Sequence, residues 1–285
     1  MYKIESFEKQ MFQVYQLRNE QGTSWITVCP ERGGIIIGYG TNGKEKLYLN
    51  EETFYDRKQN IRGGIPILFP ISGQLPDGAY RWNDKEYKMP NHGLARIHPW
   101  EVIEISADED KAFISILFES SIGTKEVYPF DFEVIFTYTL KDDQLIIYQT
   151  YRNVGQHPMP IYPGLHPYFK AESKIISIDT GAQVYFDEND GQEKEFTGKI
   201  DLTKLRESVI IENKRTDIDA KIDDVDVQMS LAKDFRYTVL WSEEGKDFVC
   251  IEPWTAKSGE MARQDELIIV EPGEAFETWN SFQVV

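Results

Sequence analysis

Phe132–Leu140 reads FEVIFTYTL, and after the short polar turn Lys141–Asp143 the chain continues QLIIYQTY over Gln144–Tyr151. Both runs are rich in β-branched and aromatic residues and have the length of strands, so together they read as a hairpin. Just upstream, Ile114, Ile116 and Phe118 share one face of a period-two pattern, and Phe113, Ser115 and Leu117 share the other. Two largely apolar faces belong to a strand inside a layered sheet.

The same texture recurs outward from this point, at Phe12–Leu17, Ser24–Val28, Val184–Phe186, Val225–Leu231, Tyr237–Trp241, Phe248–Ile251, Leu267–Val270 and Ala275–Phe282. Apolar residues at helical spacing do not persist over any twelve-residue window, which leaves room only for short helical turns near Lys204–Glu207 or Glu260–Gln264. Many strands punctuated by turn residues predict an all-β fold, a large antiparallel β-sandwich. No internal repeat divides the 285 residues, and a sandwich of this length is expected to form a single domain over 1–285. Asp187–Asp224 is acidic, poor in aromatics and only weakly periodic, and reads as an excursion carrying loops and a hairpin.

Apolar residues make up 41% of the chain, enough for a large core without disulfides or a structural metal. The formal net charge of −17 argues against nucleic acid and anionic membranes as partners, while leaving a small anionic ligand open. Cys29 and Cys250 show no paired spacing, which fits a reduced, cytoplasmic setting. Met1–Glu8 has lysine and glutamate where a secretory signal would need an apolar run, and no stretch approaches the ~18 apolar residues of a membrane span.

Four segments join stiff backbone to reactive side chains. In Arg62–Pro70, RGGIPILFP, two glycines and two prolines hold Arg62 at the mouth of a defined loop, or leave it as a surface arginine beside a turn. In Asn91–Arg96, NHGLAR, His92 sits in a tight turn with Arg96 four residues on; a nearby cation favours neutral imidazole, which suits a sugar hydroxyl. In Pro163–Phe169, PGLHPYF, His166 precedes Pro167 and is biased to extended geometry, a good setting for a general acid. His98 and His157 also precede prolines, and read as structural and solvent-exposed respectively.

The fourth segment is Phe248–Trp254, FVCIEPW. Alternation puts Val249 and Ile251 on one face and Cys250 and Glu252 on the other, with Pro253 ending the ladder. Glu252 either faces water at a strand end or lines a cavity where its pKa is raised. Trp254 offers a flat surface for a sugar ring. No CxxC, HExxH or EF-hand spacing suggests a metal, and no GxGxxG, GxxxxGK[ST] or GxSxG motif appears.

The motifs RGGIPILFP, HGLAR, GLHPYF and CIEPW, in that order, resemble those of the aldose 1-epimerase (galactose mutarotase-like) superfamily, nearest its hexose-6-phosphate 1-epimerase-like branch. The resemblance covers about residues 20–282 and implies one large antiparallel β-sandwich. By position it implies His166 as general acid toward the ring oxygen and Glu252 as general base toward the anomeric hydroxyl. His92 and Arg62 would hold sugar hydroxyls, and Arg62 with Arg96 would hold a 6-phosphate in the phosphate-using branch. Asp223, in IDDVDV, resembles an aspartate that grips a hydroxyl near C1, with Asp224 one residue away; Asp226 stands where an aromatic is expected. ISGQL at Ile71–Leu75 departs from the aromatic-rich continuation of the first motif.

The resemblance therefore implies an isomerase that interconverts the anomers of an aldohexose or hexose 6-phosphate, with no cofactor, no metal and no partner beyond the sugar, acting as a monomer. The competing expectation is a carbohydrate-binding module that uses the same cleft without turnover, and behind it a polysaccharide lyase or hydrolase with a long groove. A binding module can lose His166 or Glu252 and still hold sugar, whereas an epimerase cannot.

Overall fold

Two large antiparallel sheets carry the computed structural model, which describes every residue from Met1 to Val285. The hairpin read first is real: Phe132–Lys141 pairs with Gln144–Asn153 in the register Phe132↔Asn153 to Lys141↔Gln144. It lies within a nine-stranded sheet that runs from Lys199–Asp201 at one edge to Glu101–Ala107 at the other. Ala112–Glu119 lies beside it on one side and Ala275–Val284 on the other. Facing this is an eight-stranded sheet centred on Tyr237–Trp241 and Phe248–Trp254.

The apolar sides of the two sheets meet in one cluster of 59 buried residues, to which Phe132, Phe136, Ile147 and Tyr151 contribute from the first sheet and Val249 and Ile251 from the second. Phe69, from the RGGIPILFP segment, fills the space between. Its ring lies 5.0 Å from Phe132 and 5.5 Å from Tyr151. Burying a side chain of this size contributes roughly 1.5–3 kcal/mol.

A third, five-stranded sheet is built from Tyr2–Lys9 to Lys44–Glu45 and fixes the start of the first motif. Its strand Ile35–Thr41 reaches the motif through an Ile36↔Ile65 bridge, with Ile65 N–H donating to Ile36 O at 2.8 Å. Gly64, at φ 68°, allows that approach, because a Cβ there would stand 2.3 Å from Ile36 O.

Three expectations need correction. Asp187–Asp224 holds the expected hairpin, Val184–Asp187 against Gln192–Glu195, but is not otherwise a loop excursion: Lys199–Asp201, Val209–Glu212 and Asp217–Ile222 are strands too, and these strands extend both large sheets. Asp217–Ile222 alternates exposed Asp217, Asp219 and Lys221 with buried Ile218, Ala220 and Ile222, as a strand with one wet face must. Lys204–Glu207 forms no helix, whereas Glu260–Arg263 does. Pro253 does not end its ladder, which continues to Tyr237↔Trp254. No helix is long and apolar enough to cross a membrane.

Candidate active site

Phe248–Trp254 decides where the chemistry sits. The strand lies between Tyr237–Trp241 and the short strands around His166, and its alternation sends Val249 and Ile251 into the main core. Cys250 and Glu252 therefore emerge on the opposite face, together with Val239, the cross-strand neighbour of Glu252. On that face opens a cleft of about 740 Å³. Glu252 lies at its floor, 1% exposed, so of the two alternatives the cavity is the one realised.

His166 occupies a break in strand pairing. Gly164–Leu165 pairs with Ile67–Leu68, and Gly164 also pairs with Trp254; pairing with Phe248–Trp254 resumes at Tyr168–Lys170. Pro167 falls inside the break, where its missing N–H costs no ladder bond. Gly164 permits close contact with the next strand, since a Cβ there would be 2.8 Å from Trp254 Cδ1 and 2.5 Å from Ser72 Oγ. The imidazole stacks on Tyr168 with ring centroids 4.6 Å apart, and the indole of Trp241 meets it edge-on at 6.0 Å.

These two segments, 86 positions apart in the chain, bring His166 Nε2 to 3.4 Å from Glu252 Oε1. The other carboxylate oxygen, Oε2, accepts a hydrogen bond from Trp254 Nε1 at 3.1 Å. Burial pushes the Glu252 carboxyl well above its usual range; Glu188 adds to the push, and the Trp254 hydrogen bond and the Arg96 cation oppose it. Burial holds the His166 imidazole well below its usual value, and Arg96 and Arg62 reinforce this. Both pushes favour the uncharged forms, a neutral imidazole beside a neutral carboxyl.

His92 stands beside them at a φ of 62°, on the tight turn its sequence suggested. Its ring lies 5.2 Å from that of His166 and 5.9 Å from that of Trp254. Gly73 N–H donates to His92 Nδ1 at 3.0 Å, which places the ring proton on Nε2. Burial, then the Arg96 cation, keeps this imidazole neutral. Arg62 lines the cleft mouth, with its guanidinium 5.1 Å from the Trp241 ring and its Nε 3.2 Å from Glu243 Oε2.

Two residues expected at the site are placed otherwise. Arg96 is 8% exposed and lies behind the cleft wall, not on it; its Nη2 donates to Asn91 O at 2.6 Å. Burial lowers its pKa to about 10, so it remains a cation and acts on the two histidines through its field. Asp223 is exposed in the turn joining Asp217–Ile222 to Val225–Leu231. Its carboxylate accepts from the backbone N–H groups of Glu172 and Ser173 at 3.2 and 3.0 Å, tying two turns together. Neither Asp223 nor Asp224 lines the cleft.

The cleft also gains residues from the stretch read as an excursion. Glu188 accepts a hydrogen bond from the Ser208 hydroxyl, and burial raises its carboxyl pKa. Arg206 and Arg263 line the cleft with Arg62. Arg263 is engaged by Glu260 and the carbonyl of Ser258, and Arg62 by Glu243. Arg206 is the cleft arginine without a carboxylate partner, 18 residues past Glu188. No motif marks these positions in the sequence. Donor atoms of His166, Cys250 and Glu252 lie within 4.8 Å of one another, a set that could hold a metal ion.

The family model described as aldose 1-epimerase matches residues 13–283. A Salmonella typhimurium protein named "Putative glucose-6-phosphate 1-epimerase" is 26% identical over 105 residues, 36% of this chain and 33% of that protein. The alignment thus spans a third of the length of this curated relative. Among solved structures, the Slr1438 protein of Synechocystis sp. PCC 6803 is 32% identical, with a TM-score of 0.92 over 100% of this chain and 99% of that one. A galactose mutarotase-like protein of Clostridium acetobutylicum is 18% identical, with a TM-score of 0.82 over 100% of this chain and 98% of that one, and shares its fold.

Proposed function

The chain belongs to the aldose 1-epimerase family, and on that premise we propose that it interconverts the α and β anomers of an aldohexose or hexose 6-phosphate, with Glu252 as base and His166 as acid. One observation carries this reading: two oppositely perturbed acid–base groups 3.4 Å apart on the floor of a sugar-sized cleft.

The distance suits the chemistry. The anomeric hydroxyl and the ring oxygen are bonded to the same carbon, so the group that takes a proton from one must stand close to the group that gives a proton to the other. A proton shift along the His166–Glu252 contact converts the neutral pair to carboxylate and imidazolium. Glu252 then removes the C1 hydroxyl proton while His166 protonates the ring oxygen, and the C1–O5 bond opens to the aldehyde. Rotation about C1–C2 presents the other face, and the same groups in reversed roles close the opposite anomer. The proton count of the pair is restored at the end. An acid and a base contributing about 10²–10⁴-fold each suffice for a reaction already measurable in water.

The supporting residues fit the same substrate. His92, with its proton on Nε2, is a neutral donor for a hydroxyl. Trp254 and Trp241 line the cleft with flat aromatic surface. Arg206 and Arg62 give the cleft cationic groups against which a 6-phosphate can bind. The test is polarimetric relaxation of freshly dissolved α-glucose, α-galactose and α-glucose 6-phosphate. Relaxation faster than the buffer rate for at least one sugar is expected; the buffer rate for all three overturns the proposal.

A further inference from the structure

The structure assigns a second capacity to the acid–base floor: we propose that His166, Cys250 and Glu252 form a site for a borderline-soft divalent cation, Zn²⁺ above all, which stops turnover when filled. The inhibitory part rests on the epimerase reading; the binding part does not. No metal motif announces this set, because its members come from one strand, Phe248–Trp254, and from a distant break between strands.

Geometry carries the inference. Zinc takes nitrogen at about 2.0–2.1 Å, carboxylate oxygen at about 2.0–2.2 Å and sulfur at about 2.3 Å in a tetrahedron, so its ligand atoms stand about 3.3–3.7 Å apart. His166 Nε2 and Glu252 Oε1 are already 3.4 Å apart. Cys250 Sγ, a His166 ring nitrogen and a Glu252 carboxylate oxygen all lie within 4.8 Å of one another, so the thiolate needs to close by at most about 1 Å to complete a three-ligand face. All three side chains are buried, which means their ordering is already done by the fold. His166 and Glu252 both line the cleft, from which a water or exchangeable ligand would take the fourth position.

Charge balance favours the exchange. A bound Zn²⁺ takes cysteine as thiolate, glutamate as carboxylate and histidine as neutral imidazole, so the two ligand charges cancel those of the ion, the displaced protons go to solvent, and nothing is oxidised or reduced. Cys250 is a free thiol, and His166 Nδ1 is buried without a hydrogen-bond partner. The Arg62 and Arg96 cations oppose the incoming ion and hold the affinity below that of a dedicated structural site.

Cobalt substitution tests binding directly. The metal-free wild-type protein titrated with Co²⁺ should develop a near-ultraviolet thiolate-to-cobalt band and strong visible bands of a tetrahedral ion. Cys250→Ser and Cys250→Ala should lose the thiolate band, and Cys29→Ser should keep it. In parallel, Zn²⁺ should inhibit anomer exchange reversibly with EDTA, and either Cys250 variant, each read against its own zinc-free rate, should need at least about tenfold more zinc for half inhibition, the scale on which ligand-sphere changes act. No thiolate band in the wild type, or a band lost with Cys29 and kept without Cys250, overturns the site. A band without any anomer exchange keeps the site and overturns the epimerase reading, and exchange without a band does the reverse.

Discussion

Trp254→Phe isolates one contact that sets the proton affinity of Glu252. The indole Nε1 donates to Glu252 Oε2 at 3.1 Å and so favours the carboxylate over the acid. Phenylalanine keeps an aromatic ring between Gly164 and Gly73, whose backbones crowd the indole so closely that a Cβ on either would stand 2.8 or 3.1 Å from it. A buried hydrogen bond to a charged group contributes about 1.5–3 kcal/mol. Its loss should raise the Glu252 pKa by about one to two units, at 1.36 kcal/mol per unit. The ionised form of the pair becomes about ten- to a hundredfold rarer, and anomer exchange at pH 7 should slow by about the same factor. The alkaline limb of the pH–rate profile should move up, while the acid limb, set by a second proton entering at His166, stays in place. The ¹³C shift of the Glu252 carboxyl, followed through a pH titration, checks the same quantity without reference to activity. A Trp254→Phe profile that superposes on the wild type, with an unmoved carboxyl titration, would refute the reasoning.

Glu252→Gln should make the fold more stable, because the buried carboxyl has a folded-state pKa above its unfolded value. Its stabilising contribution is present below the unfolded pKa and lost as pH rises through the folded one. The variant should melt with the wild type near pH 4 and a few degrees above it at pH 8, at about 2–4 °C per kcal/mol, as read by calorimetry. Glu188→Gln removes a charge that pushes Glu252 upward, so the alkaline limb should move to lower pH; an upward move would contradict the placement of Glu188. Arg206→Ala should raise KM for glucose 6-phosphate several-fold, about 1 kcal/mol for an exposed ion pair, and leave KM for glucose unchanged. Equal effects on both sugars would remove Arg206 from phosphate binding.

The sheets were legible wherever alternation coincided with aromatic and β-branched residues, as in the Phe132–Lys141 and Gln144–Asn153 hairpin. They were hidden where the wet face was charged and the dry face small. Asp217–Ile222, DIDAKI, alternates strictly yet buries only Ile218, Ala220 and Ile222. The helix Glu51–Tyr55 escaped because its 5 residues, capped by the Asn50 side chain, are shorter than any window that shows a 3.6-residue period.

At the site, each motif marked a stiff segment, but only register could say that Gly164 pairs with Trp254 and so brings His166 to Glu252. Sequence spacing could not say which side of the wall Arg96 would occupy, and composition concealed Glu188 and Arg206 in a stretch that resembled a loop. Cys250 was visible as a neighbour of Glu252 on one strand face, but its proximity to His166 arises only through the pairing of Tyr168 with Cys250.

The central claim is that His166 and Glu252 act as one proton-exchanging pair, and anomer exchange by NMR tests it most directly. Saturation transfer between the α and β anomers of glucose, galactose and glucose 6-phosphate is to be measured for the wild type, Glu252→Gln and His166→Asn. The account predicts accelerated exchange of at least one sugar by the wild type, with exchange at the buffer rate in both variants. Exchange that persists in either variant, or sugar line-broadening without exchange in all three proteins, would contradict it.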